Sequence, residues 1–153
     1  NAHLNPGLYK LSVNGFENSH HTQFIISKML PGIITKTIVI VLAFIVSAYL
    51  GNGEIIRLFF ELSLPAVLIQ KLIKVVIYSS RIANVHDRFK SLFNDLMKHS
   101  FDDKTPEAIR SLIDYETTLS WASIPLDSKI FWKYRDKLAK DWDQLKAEYK
   151  ITP

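Results

Sequence analysis

Ile38-Val39-Ile40-Val41-Leu42-Ala43-Phe44-Ile45-Val46 decides how this chain is built. The run is apolar on every side, and residues 37–53 around it carry no charge. An amphipathic surface helix would show a polar face here, and none is present. With Ile33 and Ile34 added, and Lys36 long enough to snorkel, the stretch comes to roughly 18 residues, inside the range of about 17 to 25 that spans a bilayer. Tyr49 stands at one end, where interfacial aromatics belong. A buried core helix of this composition would need a larger soluble domain around it. A signal peptide would start near a chain terminus, whereas residues 1–32 precede this run. The spacing therefore predicts a transmembrane helix over 33–53.

The flanks set its direction. Lys10, Lys28 and Lys36 lie before the span, and Lys71, Lys74 and Arg81 form the first positive cluster after it. The bias is small, and the larger charged C-terminal part is assigned to the cytoplasmic side. A second apolar stretch, residues 62–70, is too short to span alone and is bordered by Arg57, Glu61 and Lys71. One span is the preferred topology, with the next helix leaving the membrane to pack against copies of itself. A short helical hairpin turning at Gly51-Asn52-Gly53 is the alternative.

The chain has 153 residues, enough for one domain. It begins at Asn1, and cells rarely remove Met before Asn, so further residues are expected upstream. Lys plus Arg is 19 against 15 for Asp plus Glu, a net charge of +4. That suits a membrane flank or weak nucleic-acid contact and demands neither. With no cysteine, disulfide scaffolds, thiolate metal sites and cysteine nucleophiles are excluded.

Residues 1–32 read as irregular. Tyr9, Leu11 and Val13 alternate before Asn14-Gly15, a hairpin signal, and Pro31-Gly32 is expected to break or kink the chain. After the span, a helical domain is expected over 54–153. Its long helix covers about 54–99, where the only proline is Pro65. Tyr78, Ile82, Val85, Phe89, Leu92 and Leu96 are spaced 4-3-4-3-4, a coiled-coil-like seam expected to join copies of the chain. Thr105-Pro106-Glu107 reads as the start of a helix over about 106–122, with Ile109, Leu112, Ile113, Glu116 and Leu119 on one face. Pro125 ends it. A last helix, about 127–150, carries the apolar stripe Tyr134, Leu138, Trp142, Leu145 and Tyr149. The fold class is all-α, and its thin core is expected to be completed by association into a homo-oligomeric ring.

One constellation suggests chemistry. Arg81 to His86 has the form R-x4-H, with Asn84 inside it. In HEPN ribonucleases that pair assists cleavage at the 2′-hydroxyl, the histidine as acid or base and the arginine as phosphate stabiliser. On a straight helix five residues separate the two side chains by about 140°. They converge only if the helix bends or a neighbouring copy supplies one of them, so an interface role outranks catalysis. His3, His20 and His21 have no fixed metal geometry and are expected to be solvated. Trp121, Trp132 and Trp142 sit at helical spacing and read as packing residues. No phosphate loop or serine elbow is present, and no metal or cofactor is expected.

The apolar segment around residues 38–50, the short all-helical remainder and the R-x4-H of Arg81 and His86 with Asn84 together resemble the small HEPN-like accessory membrane protein of type VI-B CRISPR systems. The resemblance covers most of the chain as architecture and a few positions as motif. It implies a divergent HEPN-like bundle assembling as a ring in the bacterial inner membrane. It also implies a pore that permeabilises or depolarises the membrane and strengthens antiviral interference alongside an RNA-guided, RNA-cleaving effector. Arg81 and His86 would then matter without necessarily cutting RNA. Thr35, Lys36, Thr37, Ser47, Asn52 and Glu54 are the candidate conduit lining, because polar groups at this depth need water or a partner. The alternatives are a membrane-tethered HEPN ribonuclease, a pore-forming effector of another defence system, and an anchored scaffold.

Overall fold

The computed structural model describes the backbone of residues 6–50 and 55–151, and the side chains of 7–50 and 63–151. Within these residues the chain is all-helical. Helix α1 runs Pro6–Leu50, α2 Ile55–Leu96, α3 Thr105–Ala122 and α4 Ser128–Glu148, with a single 3-10 turn at Asp102–Lys104.

The N-terminal segment is therefore not irregular: α1 starts at Pro6 and holds 45 residues, a rise of about 68 Å. Asn14-Gly15 makes no turn. Gly15 is buried where α1 is crowded: a Cβ there would stand 2.9 Å from Leu112 Cδ2 and 2.9 Å from Phe89 Cζ. Ser12, Ser19 and Thr22, also buried, continue this small-residue stripe, and Ser12 and Ser19 turn their hydroxyls onto backbone carbonyls of α1. Small residues here give close approach to α2 and α3, which outweighs their poor intrinsic helix preference. The helix also passes through Pro31, which is exposed; it removes one hydrogen bond of the helix and sets its ring against the carbonyl of Ser27.

Helix α2 folds back along α1. Tyr9 lies against Phe93, Phe16 against Phe89 and Ser19 against His86, so numbers fall on α2 as they rise on α1. Within the chain α2 thus packs on α1, and the expected turn at Gly51-Asn52-Gly53 lies outside the described residues. The seam is correspondingly internal. Tyr78, Ile82, Val85, Phe89 and Leu92 are buried within the chain, and Leu96 is half-buried against the same core. A 3-4 stripe packs on whatever matching stripe is nearest, and α1 offers one through Phe16, Ile26, Met29, Leu30 and Ile33.

Helices α3 and α4 clasp one end of this hairpin. Helix α3 begins one residue earlier than expected, at Thr105 with Pro106 in its first turn. It turns Ala108, Ser111, Tyr115, Thr118 and Ala122 inward, leaving Ile109 and Ile113 exposed. The inner face is thus rotated from the expected one, because small side chains let α3 sit close to Gly15. Ser123, left-handed with φ 47°, ends α3 and donates its N–H to the Leu119 carbonyl at 3.0 Å. Asp127 caps α4, its carboxylate accepting from the Lys129 N–H at 2.8 Å. The α4 stripe is as expected, with Leu138 and Trp142 buried and Phe16 in edge contact with Trp142 and Tyr149. The core sits in this four-helix body. Beyond about residue 33 on α1 and residue 72 on α2, the two helices continue without cover from α3 or α4.

Candidate functional site

The bare half of the hairpin is the most unusual surface of the molecule. On α1, Ile38, Val39, Ile40, Leu42, Ile45, Val46, Tyr49 and Leu50 are exposed. On α2, Leu64, Val67, Ile69 and Ile73 are exposed as well. Each helix spends one narrow stripe on its partner, marked by Thr37 on α1 and by Pro65 and Val75 on α2, and turns its remaining apolar faces outward. Among the described residues α1 is the one helix long and apolar enough to cross a membrane. Its most apolar 18-residue window has mean hydropathy 2.3 and is 6% buried. A core helix would have that window covered. A removable leader would not also carry Phe16 and Ile26, both fully buried in the body. Residues 33–50 rise about 27 Å, close to the thickness of a bilayer's hydrocarbon core, about 30 Å.

The R-x4-H pair is not brought together within one chain. Straight-helix geometry separates the two, and α2 is continuous across both. Arg81 points outward, its guanidinium 4.3 Å from the Trp121 ring centre. His86 points inward and is 2% exposed, with its Nδ1 3.3 Å from Ser19 Oγ and its ring against Phe16. The Ser19 hydroxyl already donates to the Phe16 carbonyl at 2.8 Å, so His86 Nδ1–H is the donor to Ser19 Oγ. Burial, then the nearby Lys90 and His20, push the His86 pKa down to about 3, so it is neutral at pH 7. Asn84 is exposed.

His86 instead joins a cleft that motif reading missed. His20 and Gln23 of α1, His86 and Lys90 of α2, and Asp141, Gln144, Leu145 and Glu148 of α4 enclose about 280 Å³. The His20 ring lies 5.3 Å from that of His86 and 5.9 Å from that of His21. Burial lowers the pKa of His20 first, then its neighbour His21. Burial also lowers that of His21. Among the described residues, Nε2 of His20 and Nε2 of His21 are buried without a hydrogen-bond partner. The sequence held one signal for this cleft: Lys90 follows His86 by four residues, on the same face. The pairing with His20 needed the hairpin register.

No family model, curated protein or solved structure matches this chain.

The remaining sequence-derived candidates separate clearly. Thr35, Lys36 and Ser47 are exposed on the bare part of α1. Thr37 is 7% exposed, turned into the hairpin's inner stripe. Asn52 and Glu54 lie outside the described residues, as does His3. His20 and His21 are half-buried rather than solvated. Among the described residues no group of three potential ligands could hold a metal ion. Trp142 packs in the core as expected, whereas Trp121 and Trp132 are exposed at the surface.

Proposed function

We propose that this chain inserts its bare helical hairpin into a bilayer, associates with copies of itself and permeabilises the membrane. The observation that carries this is the outward face of the hairpin. One apolar leg of bilayer length, with α2 antiparallel beside it and exposing Leu64, Val67, Ile69 and Ile73, is held at one end by a folded four-helix body, and no other described residue covers either. In water so large an apolar surface is a strong driver of insertion or association. Two legs per subunit also supply more wall for a conduit than one span would.

Lys36 and Ser47 lie eleven residues apart and share one helical face to within about 20°. They are the preferred conduit lining, with Thr35 beside them. The setting of this activity is the one the resemblance implies: an inner-membrane accessory to an RNA-guided, RNA-cleaving antiviral effector, its body on the cytoplasmic side. The tethered-ribonuclease alternative loses ground, because Arg81 and His86 face opposite ways on one helix.

The deciding experiment is the mass of the detergent-solubilised particle, followed by dye and ion release from liposomes. Five or more subunits with release, and a changed cation-to-anion ratio in Lys36→Glu, are expected. A monomer or dimer that releases nothing would reject the pore. RNA cleavage abolished by His86→Ala, without release, would restore the nuclease reading.

A further inference from the structure

The sign of the surface charge changes at one height on the hairpin. On α1 the last acid is Glu17, and on α2 the first acid after Glu61, which stands in the first two turns of that helix, is Asp87; the hairpin register sets Glu17 and Asp87 at nearly the same level. Residues 18–50 and 63–86 contain no Asp or Glu and five cations: Lys28, Lys36, Lys71, Lys74 and Arg81; Glu54, Arg57 and Glu61 fall in the stretch that joins them. The other helices add little negative charge there. The last acid of α3 is Glu116, more than a turn before Trp121. Asp127 lies near the foot of the hairpin, where its N–H meets Met29 Sδ at 3.3 Å, but its carboxylate is occupied in capping α4.

Three of these cations are held by rings rather than by carboxylates. Arg81 lies 4.3 Å and Lys74 Nζ 5.8 Å from the ring centre of Trp121, which is itself 39% exposed. Lys28 Nζ lies 5.5 Å from the centre of Phe24. Lys28, Lys74 and Arg81 form no ion pair among the described residues, whereas the pairs that do form sit elsewhere on the body. Rings position a cation without neutralising it. An amphipathic indole among unpaired cations, at the foot of an apolar stem, has the layering of a membrane interface.

We infer that this foot is a docking surface for the phosphate headgroups of anionic phospholipids, with Lys28, Lys74 and Arg81 as the charge and Trp121 as the interfacial anchor. The inference rests on the hairpin entering a bilayer and adds a lipid preference to it. It gives Arg81 a role that needs no catalytic histidine. Arg81 presents a planar fork of donors to a phosphate while its other face rests on the indole.

The test is flotation of the full chain, diluted from detergent, with vesicles of phosphatidylcholine alone or with phosphatidylglycerol added. The wild type is compared with the triple variant Lys28→Gln, Lys74→Gln, Arg81→Gln, whose side chains are all exposed. Each cation at the surface is worth about fivefold in binding to an anionic membrane, so the triple variant should lose about a hundredfold of that preference. It should still enter phosphatidylcholine as the wild type does. The wild-type preference should weaken as salt is raised. An anionic preference retained by the triple variant would overturn the inference while leaving membrane insertion intact. Failure of the wild type to enter either vesicle would overturn insertion itself, and the docking surface with it. An RNA oligonucleotide bound more tightly than anionic vesicles, and lost in the triple variant, would reassign the face to nucleic acid.

Discussion

Gly15 sits where three elements meet, and its missing side chain is the condition for their approach. In Gly15→Ala, the gain in helix preference, about 0.5–1 kcal/mol, opposes an overpacking cost of about 1–3 kcal/mol against Leu112 and the buried ring of Phe89. A net loss of roughly 1 kcal/mol is expected from chemical denaturation of the solubilised protein, and a larger one from Gly15→Val. The histidines make a second residue-scale prediction. His20, His21 and His86 all have folded pKa values below the ordinary 6.5, and burial is the first cause in each. The unfolded chain therefore takes up protons first as pH falls. Stability should be flat above about pH 6.5 and decline below it, with the His86 contribution ending only near pH 3. The steepest contribution is about 1.4 kcal/mol per pH unit for each histidine. Asp141, facing His20 across the cleft, favours its charged form and softens that share. His86→Gln should flatten the slope in thermal melts taken across this pH range.

At the scale of elements, α1 and α2 each have two lives. Their body halves are enclosed, and their bare halves present an apolar surface with one stripe used internally. Substitutions should divide along the same line. Ile82→Ala, at a fully buried seam position, should lower the melting temperature by the equivalent of about 2–4 kcal/mol without changing the subunit number. An unchanged melt with loss of the oligomer would instead return the seam to an intersubunit role. Leu42→Lys, on an exposed position near the middle of the bare α1 leg, should leave the melt of the body unaltered. Its membrane partition should fall about a hundredfold, from a burial cost of about 2.5–3.5 kcal/mol for lysine at a bilayer centre. Equal partition of both proteins in flotation would remove that leg from the membrane.

For the whole molecule, the hairpin and the body define two ends. If the bare legs cross the bilayer, Tyr49 at the tip of α1 and Ser128 at the start of α4 lie on opposite sides. The chain has no cysteine, so Tyr49→Cys and Ser128→Cys are unique labels. In sealed vesicles an impermeant maleimide should reach one and miss the other until the membrane is dissolved. Labelling of both from outside would mean that the hairpin lies along the surface.

Local chemistry was enough for the all-helical class, for the apolar span and for the start of α4. Asp127 caps a helix with its own side chain, and residues 38–46 are apolar in every direction, so neither depends on the rest of the fold. The same holds for the divergence of Arg81 and His86, which follows from helical pitch. The N-terminal helix was not legible. Gly15 and Ser19 are poor helix formers by themselves, and only contact with Phe89, Leu112 and His86 makes their smallness favourable. Nor was the partner of the Tyr78 to Leu96 seam legible, since a 3-4 spacing states that a helix face is covered and not by which helix. The sequence by itself determined what each stretch buries. The tertiary structure alone decided against what, because pairing depends on α1 and α2 meeting over a separation that no local pattern encodes.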